Sequence, residues 1–240
     1  MNAKVLLTLA LAALAMPAAA QTSSPKWGSF EIGAGTYTPN LDSEFATKPG
    51  PYERILGGGH GWMFRLGASK ALLANQFGAI EVGLRTGYFQ KRGKGLIEQV
   101  NPDGSTSLVP SVDTTTLDIV PTSATVTLRF EWLAERYRFV PLSFYGRAAL
   151  ERYNWWVTGG TGSWSKKGAT NGWSVTGGAA LLLDAFDPGL ARELDNDTGV
   201  NHTYLFFDVT RAQVDDFGSG KSWNLSSDGV SLQGGLMLVF

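Results

Sequence analysis

Two imidazoles and no thiol limit the chemistry open to this chain. With no Cys and only His60 and His202, a thiolate zinc site, a Cys nucleophile and a disulfide scaffold are excluded, and an imidazole metal site lacks ligands. Catalysis at a His needs a Ser or a carboxylate within hydrogen-bond reach. His202 is followed by Thr203 rather than by a Ser two residues on, and His60 lies in a Gly-rich stretch. Gly218-Ser219-Gly220-Lys221-Ser222 has the tail of a phosphate-binding loop, but Asp215 stands where its first Gly belongs. Asp195-Asn196-Asp197-Thr198-Gly199 hints at calcium, yet it puts Gly at the fifth ligand position and no Glu at the twelfth. No catalytic residue, metal or cofactor is expected, and both short motifs read as loops.

The charges with the most informative setting are Glu31, Arg65, Glu81, Arg85, Arg129, Glu131, Arg147, Glu151 and Asp208. Each alternates with an apolar neighbour and sits among Gly, Ser and Thr. Glu81 and Arg85 lie four apart, as do Arg147 and Glu151, so each pair can share one face of a strand. Five acids against four arginines is nearly balanced. In a low-dielectric interior such groups must pair, and Arg brings a rigid bidentate fork. The spacing therefore predicts a charge network lining a lumen, read first as a structural plug of ion pairs and second as a selective passage.

The elements that must position these groups are strands. Period-two alternation recurs over residues 29–37, 62–69, 80–88, 122–131, 142–151, 174–184, 202–211 and 230–240, giving eight strands separated by Gly, Asn, Asp, Ser and Pro clusters. Long polar connections, 38–61, 90–116, 158–172 and 213–228, alternate with short ones at 72–76 and 133–141. The third connection on the short side, 185–201, is longer. Asp187 before Pro188, then Leu190, Ala191 and Leu194, predicts a short helix there at the barrel mouth.

Composition agrees with short strands and many turns: 30 Gly, 12% aromatic and only 17% charged residues in 240. A net charge of −1 gives no electrostatic reason to expect nucleic acid. Residues 1–20 read as a secretory leader, with Lys4, an apolar run to Met16 and an Ala18-Ala19-Ala20 cleavage triplet, so the mature domain is 21–240. No later run is long and apolar enough to span a bilayer as a helix.

Alternation alone does not say whether the apolar face points into a core or out into lipid. Three features place it in lipid. The strand cores use Arg and no Lys on their polar face, as a crowded interior would and a water-washed face would not. Trp62, Trp156 and Trp173 stand at strand ends toward the long connections, and Trp27 and Trp132 at the opposite ends, forming two aromatic girdles. The chain ends on Leu236, Leu238 and Phe240, apolar at every second position.

That ending resembles the C-terminal signal by which outer-membrane barrels of Gram-negative bacteria are handed to the barrel assembly machinery. The whole mature chain resembles the eight-stranded class of small outer-membrane β-barrels. Within it, Phe30-Glu31-Ile32-Gly33 leading to Tyr37 and Pro39, and Asn201-His202-Thr203-Tyr204-Leu205-Phe206, resemble an uncharacterised outer-membrane beta-barrel family. The resemblance implies an all-β fold, an eight-stranded antiparallel transmembrane β-barrel with a short periplasmic-side helix, located in the outer membrane with both termini in the periplasm. The resemblance brings no established activity with it; the role expected is that of a non-enzymatic, membrane-anchored structural or interaction scaffold displaying surface loops, with outer-membrane lipid and lipopolysaccharide as partners. The alternatives are a narrow transport barrel for a small or apolar solute and a lipid-modifying barrel enzyme. Oligomeric state is open.

Overall fold

An extended chain with one apolar and one polar face must bury one of them, and eight such strands do so by closing into a ring. The computed structural model describes residues 25–137, 139–159 and 165–240; the leader expected over 1–20 lies outside them. The strands are β1 (Gly28–Tyr37), β2 (Gly61–Asn75), β3 (Gly78–Val100), β4 (Thr106–Phe130), β5 (Leu142–Thr158), β6 (Ser165–Leu182), β7 (His202–Gln213) and β8 (Ser231–Val239). They form a closed barrel in chain order, every neighbour antiparallel. β8 closes on β1 from Ser29↔Val239 to Gly35↔Gln233, and Phe240 extends the seam by donating its N–H to the Gly28 carbonyl at 2.9 Å. No helix among the described residues is long and apolar enough to cross a membrane.

The strands are longer than the alternation alone suggests. The connection expected over 90–116 is mostly a two-stranded ribbon, because β3 and β4 stay paired out to Val100↔Thr106 and leave only 101–105 as a turn. The connection expected over 158–172 likewise gives way to β6, which starts at Ser165 and pairs Lys166 with Val157. Both segments are rich in Lys, Ser, Thr and Gly, as Lys91-Arg92, Thr114-Thr115-Thr116 and Ser165-Lys166-Lys167-Gly168 show, and the Leu, Ile and Val scattered through the first keep no steady hydrophobic period. The ribbon is braced by the helix α1 (Pro51–Leu56). Gly93 is where the two meet: a Cβ there would stand 2.3 Å from the Ile55 carbonyl oxygen, so only glycine admits the contact. Asp42 caps α1 by accepting from the backbone N–H groups of Tyr52 (2.6 Å) and Glu53 (2.9 Å).

At the opposite end of the barrel the connection after β4 holds the short helix α2 (Trp132–Arg136), and the one after β6 holds α3 (Pro188–Thr198). α3 begins as its sequence requires. Asp187 Oδ1 accepts from Gly189 N at 3.1 Å and Leu190 N at 3.0 Å, and Pro188 fills the first turn. It ends on Gly199 in the left-handed region at φ 74°. No residue of α3 is buried.

Candidate functional site

The apolar face of every strand points out of the ring. Leu84 is 70% exposed, Leu150 65% and Phe64 59%, and they lie on the same outward rows as Ile32, Val126 and Leu236. The nine charges point in, and all are buried; Glu131 and Asp208 are inaccessible. A polar interior inside a wall of exposed Leu, Ile, Val and Phe is the inverse of a water-soluble barrel, and only a lipid solvent makes it stable.

Within the lumen the expected four-apart pairs on one strand do not form: Arg129 pairs with Glu81 on the neighbouring strand and with Glu131 two residues on, and Glu31 and Arg65 pair across the ring. Residues four apart on one strand are about 13 Å apart, whereas opposite walls bring long side chains together. Arg129 reaches Glu81 (2.5 Å) and Glu131 (3.0 Å). Glu81 also accepts from Ser69 (2.7 Å) and Ser29 (3.0 Å). One level up, Glu31 is shared by Arg85 and Arg147, the latter at 2.6 Å. Gly67 makes room here, because a Cβ would lie 2.7 Å from Glu31 Cγ. Nearer the long connections, Arg65 donates to the Tyr153 hydroxyl (2.9 Å) and faces Glu151 at 3.7 Å. Glu151 accepts from Ser174 at 2.7 Å, and Asp208 from the Tyr145 hydroxyl at 3.0 Å.

Two groups that complete the network were not singled out by the alternation. Lys26, just before β1, places its ammonium 2.8 Å from Glu131, so five bases meet five acids. Lys26 precedes the first alternating residue, which hid it. Tyr204 donates to the same Glu131 at 3.0 Å.

The lumen is closed by apolar packing on both sides of the charges. Toward the turns, Tyr145, Leu182, Tyr204, Phe206, Met237 and Val239 form one cluster. Toward the long connections, Tyr37, Phe89, Leu117, Ile119, Tyr153 and Trp155 form another, extended by Leu41, Tyr52 and Leu56 from the first connection. Tyr37 meets Phe89 edge-on at 5.0 Å, and Trp155 stacks on Trp223 at 3.9 Å. Burial, and then the Asp42 carboxylate, raise the Tyr52 phenol. Two cavities among the charges measure about 20 and 10 Å³, room for about one water at most in each. Phe89, Leu117, Ile119, Tyr153 and Trp155 continue the inward parity of Arg85, Ser123 and Glu151; extending the period outward was the signal that could have found this plug.

Of the expected girdle residues, Trp27, Trp62 and Trp173 are exposed on the outer wall, at 61%, 65% and 37%. Trp132 is half-buried against Tyr137, ring centroids 5.6 Å apart. Trp156 stands in a polar row between Asp118 and Lys167, above the apolar band, because β5 runs past its expected end. Leu236 faces outward, Leu238 is half-buried, and Phe240 packs on Trp27 at 5.5 Å. His60 Nδ1 contacts Thr38 Oγ1 (2.7 Å) and His202 Nδ1 contacts Asp184 Oδ2 (2.8 Å). Asp184 Oδ1 also accepts from Thr203 N at 3.1 Å, so this carboxylate ties the β6–β7 turn to its strand. No cluster of His, Asp and Glu suited to a metal occurs among the described residues.

Ring closure, outward apolar rows and a charged interior define the class: an eight-stranded transmembrane β-barrel of the outer membrane. No family model and no curated protein matches the sequence. Among solved structures, Neisserial surface protein A (NspA) superposes with a TM-score of 0.48 at 12% identity, over 92% of this chain and 100% of that one. Ail, the attachment invasion locus protein of Yersinia pestis, superposes in complex with the heparin analogue sucrose octasulfate with a TM-score of 0.41 at 10% identity, over 89% and 99%. A second Ail structure gives 0.40 at 11% identity over 89% and 99%.

Proposed function

We propose that this barrel is a non-conducting, non-enzymatic scaffold that anchors its long connections at the cell surface. The mature domain is 21–240, with termini and short turns in the periplasm. Its partners are outer-membrane lipid and lipopolysaccharide, and the barrel assembly machinery engages it through Leu236, Leu238 and Phe240. The observation that carries this reading is the lumen. Arg65, Arg85, Arg129 and Arg147 are committed to carboxylates, and apolar clusters seal both sides of them. An eight-stranded ring is only wide enough for its own side chains, and here they fill it.

Single-channel recording on refolded protein tests the proposal. A scaffold gives no steady current. Steady currents whose selectivity moves toward cations in Arg85→Ala or Arg147→Ala would establish a passage instead, because a positive group has left it. Lipid A mass spectra from cells with and without the protein should match; a new acylation state that disappears in His202→Ala would establish the enzyme.

A further inference from the structure

The outer wall carries a groove of about 750 Å³ that crosses the strands obliquely. Its upper edge follows one row of partners, Leu66, Thr86, Thr122, Arg152 and Asn171, from β2 to β6. Its lower edge follows the next row, Phe30, Ala68, Leu84, Ala124 and Leu150. Across five strand spacings it runs about 20 to 25 Å, the span of a fatty acyl chain. Ala68 and Ala124 are small and leave room between the larger side chains, and both threonines spend their hydroxyls on backbone carbonyls. Thr86 donates to the Pro121 carbonyl (3.2 Å) and Thr122 to the Arg152 carbonyl (3.0 Å), so neither hydroxyl is left unpaired beside the groove.

The end at β5 and β6 is different in kind. Arg152 faces outward, donates one N–H to Asn171 Oδ1 at 3.0 Å and has no carboxylate within ion-pair distance among the described residues. A cation on a lipid-facing wall is costly unless an anionic headgroup meets it. Beside it, Asp216 and Phe217 both adopt positive φ, 53° and 57°, an uncommon conformation for such residues and one that needs outside support. The support is visible. Asp216 accepts from Asn171 N (2.8 Å) and Asn171 Nδ2 (3.0 Å), and Asp215 accepts from Gly218 N (3.1 Å). The strained turn holds Phe217, 64% exposed, at the mouth of the groove, while Asn171 takes up the Asp216 carboxylate.

We infer that this groove binds one acyl chain of a lipopolysaccharide molecule, with a lipid A phosphate on Arg152 and Phe217 over the chain. The inference deepens the scaffold proposal and rests on its orientation, which puts the Arg152 end in the outer leaflet. An acyl chain supplies the apolar length and the phosphate supplies the charge that Arg152 lacks.

Native mass spectrometry on lipid-depleted, refolded protein tests it, titrated with rough lipopolysaccharide or with phosphatidylglycerol. The parent should hold one lipopolysaccharide per barrel in preference to phosphatidylglycerol. Arg152→Ala should weaken that binding about fivefold, and Arg152→Lys should restore most of it. Ala124→Trp, which fills the floor from outside without entering the lumen, should weaken it similarly. Arg211→Ala, on the outward face of β7 beyond the groove, should leave it unchanged. Equal binding in all variants, or equal or better binding of phosphatidylglycerol, would overturn the inference. Heat-modifiable migration in gels checks that each variant is folded. Currents through the parent would remove the scaffold reading and leave this binding result standing.

Discussion

Glu31 is the residue on which the lumen turns, since both Arg85 and Arg147 close on its carboxylate. Removing one member of a buried pair leaves an uncompensated charge, typically at a cost of about 3–5 kcal/mol, and nearby water lowers that figure. Glu31→Gln should therefore destabilise strongly. Glu151→Gln should cost less, because Arg65 stands 3.7 Å from that carboxylate and keeps the Tyr153 hydroxyl. Reversible urea unfolding in lipid vesicles reads the difference, and equal costs would show that the two pairs are equivalent. The identity and inward parity of all nine charges could be read from alternation with Gly, Ser and Thr. Their partners could not, because pairing across a ring depends on register and stagger, which have no local signature. Lys26 was invisible for the same reason: its role depends on Glu131, 105 positions away.

Among the elements, β8 shows how far alternation can be trusted. Leu232 and Leu236 face lipid while Gln233, Met237 and Val239 face in. Leu236→Arg puts a cation on the lipid side, worth about 2–4 kcal/mol at mid-depth. Gln233→Glu puts an acid beside Arg85, whose Nη2 already donates to Gln233 Oε1 at 3.3 Å, and should be nearly neutral. The same vesicle unfolding measures both; a larger penalty for Gln233→Glu would mean that the faces are assigned the wrong way round. α3 offers a contrasting case, since its cap was written in Asp187-Pro188 and its stop in Gly199. Asp187→Ala should cost that helix about 1 kcal/mol. With none of its residues buried, the loss should appear as faster amide exchange in 189–198 and not as a lower global stability. The outermost parts of β3, β4 and β6, beyond Phe89, Leu117 and Trp173, were illegible because Lys, Ser, Thr and Gly there mix with scattered Leu, Ile and Val in no steady period.

For the molecule as a whole, the last residue extends the seam that closes the ring. Phe240 accepts from Trp27 N (2.6 Å) while donating to Gly28, and its ring lies on Trp27. Deleting it should sharply reduce the heat-modifiable, membrane-inserted species while export continues; normal levels would contradict that role. The plug makes a second demand. Phe89 and Leu117 are inaccessible members of the cluster nearest the long connections, and Phe89→Ala should cost about 3–5 kcal/mol. If charges alone seal the ring, that variant stays silent in a bilayer. If the apolar layer is needed as well, it flickers open.

The ribbon of β3 and β4 raises one further matter, that of living among neighbours. β4 is paired with β5 only from Thr116 onward, so along 106–115 its other edge has no ladder partner among the described residues. In a membrane crowded with barrels, such an edge invites strand-to-strand adhesion between molecules. Three features spoil the template. Pro110 has no N–H to offer, the register slips between Lys94 and Leu96, and Asp113 sets a negative charge on the strand. These features work against polymerisation through that edge, so the side chains of the ribbon, more than its backbone, are what an approaching surface meets.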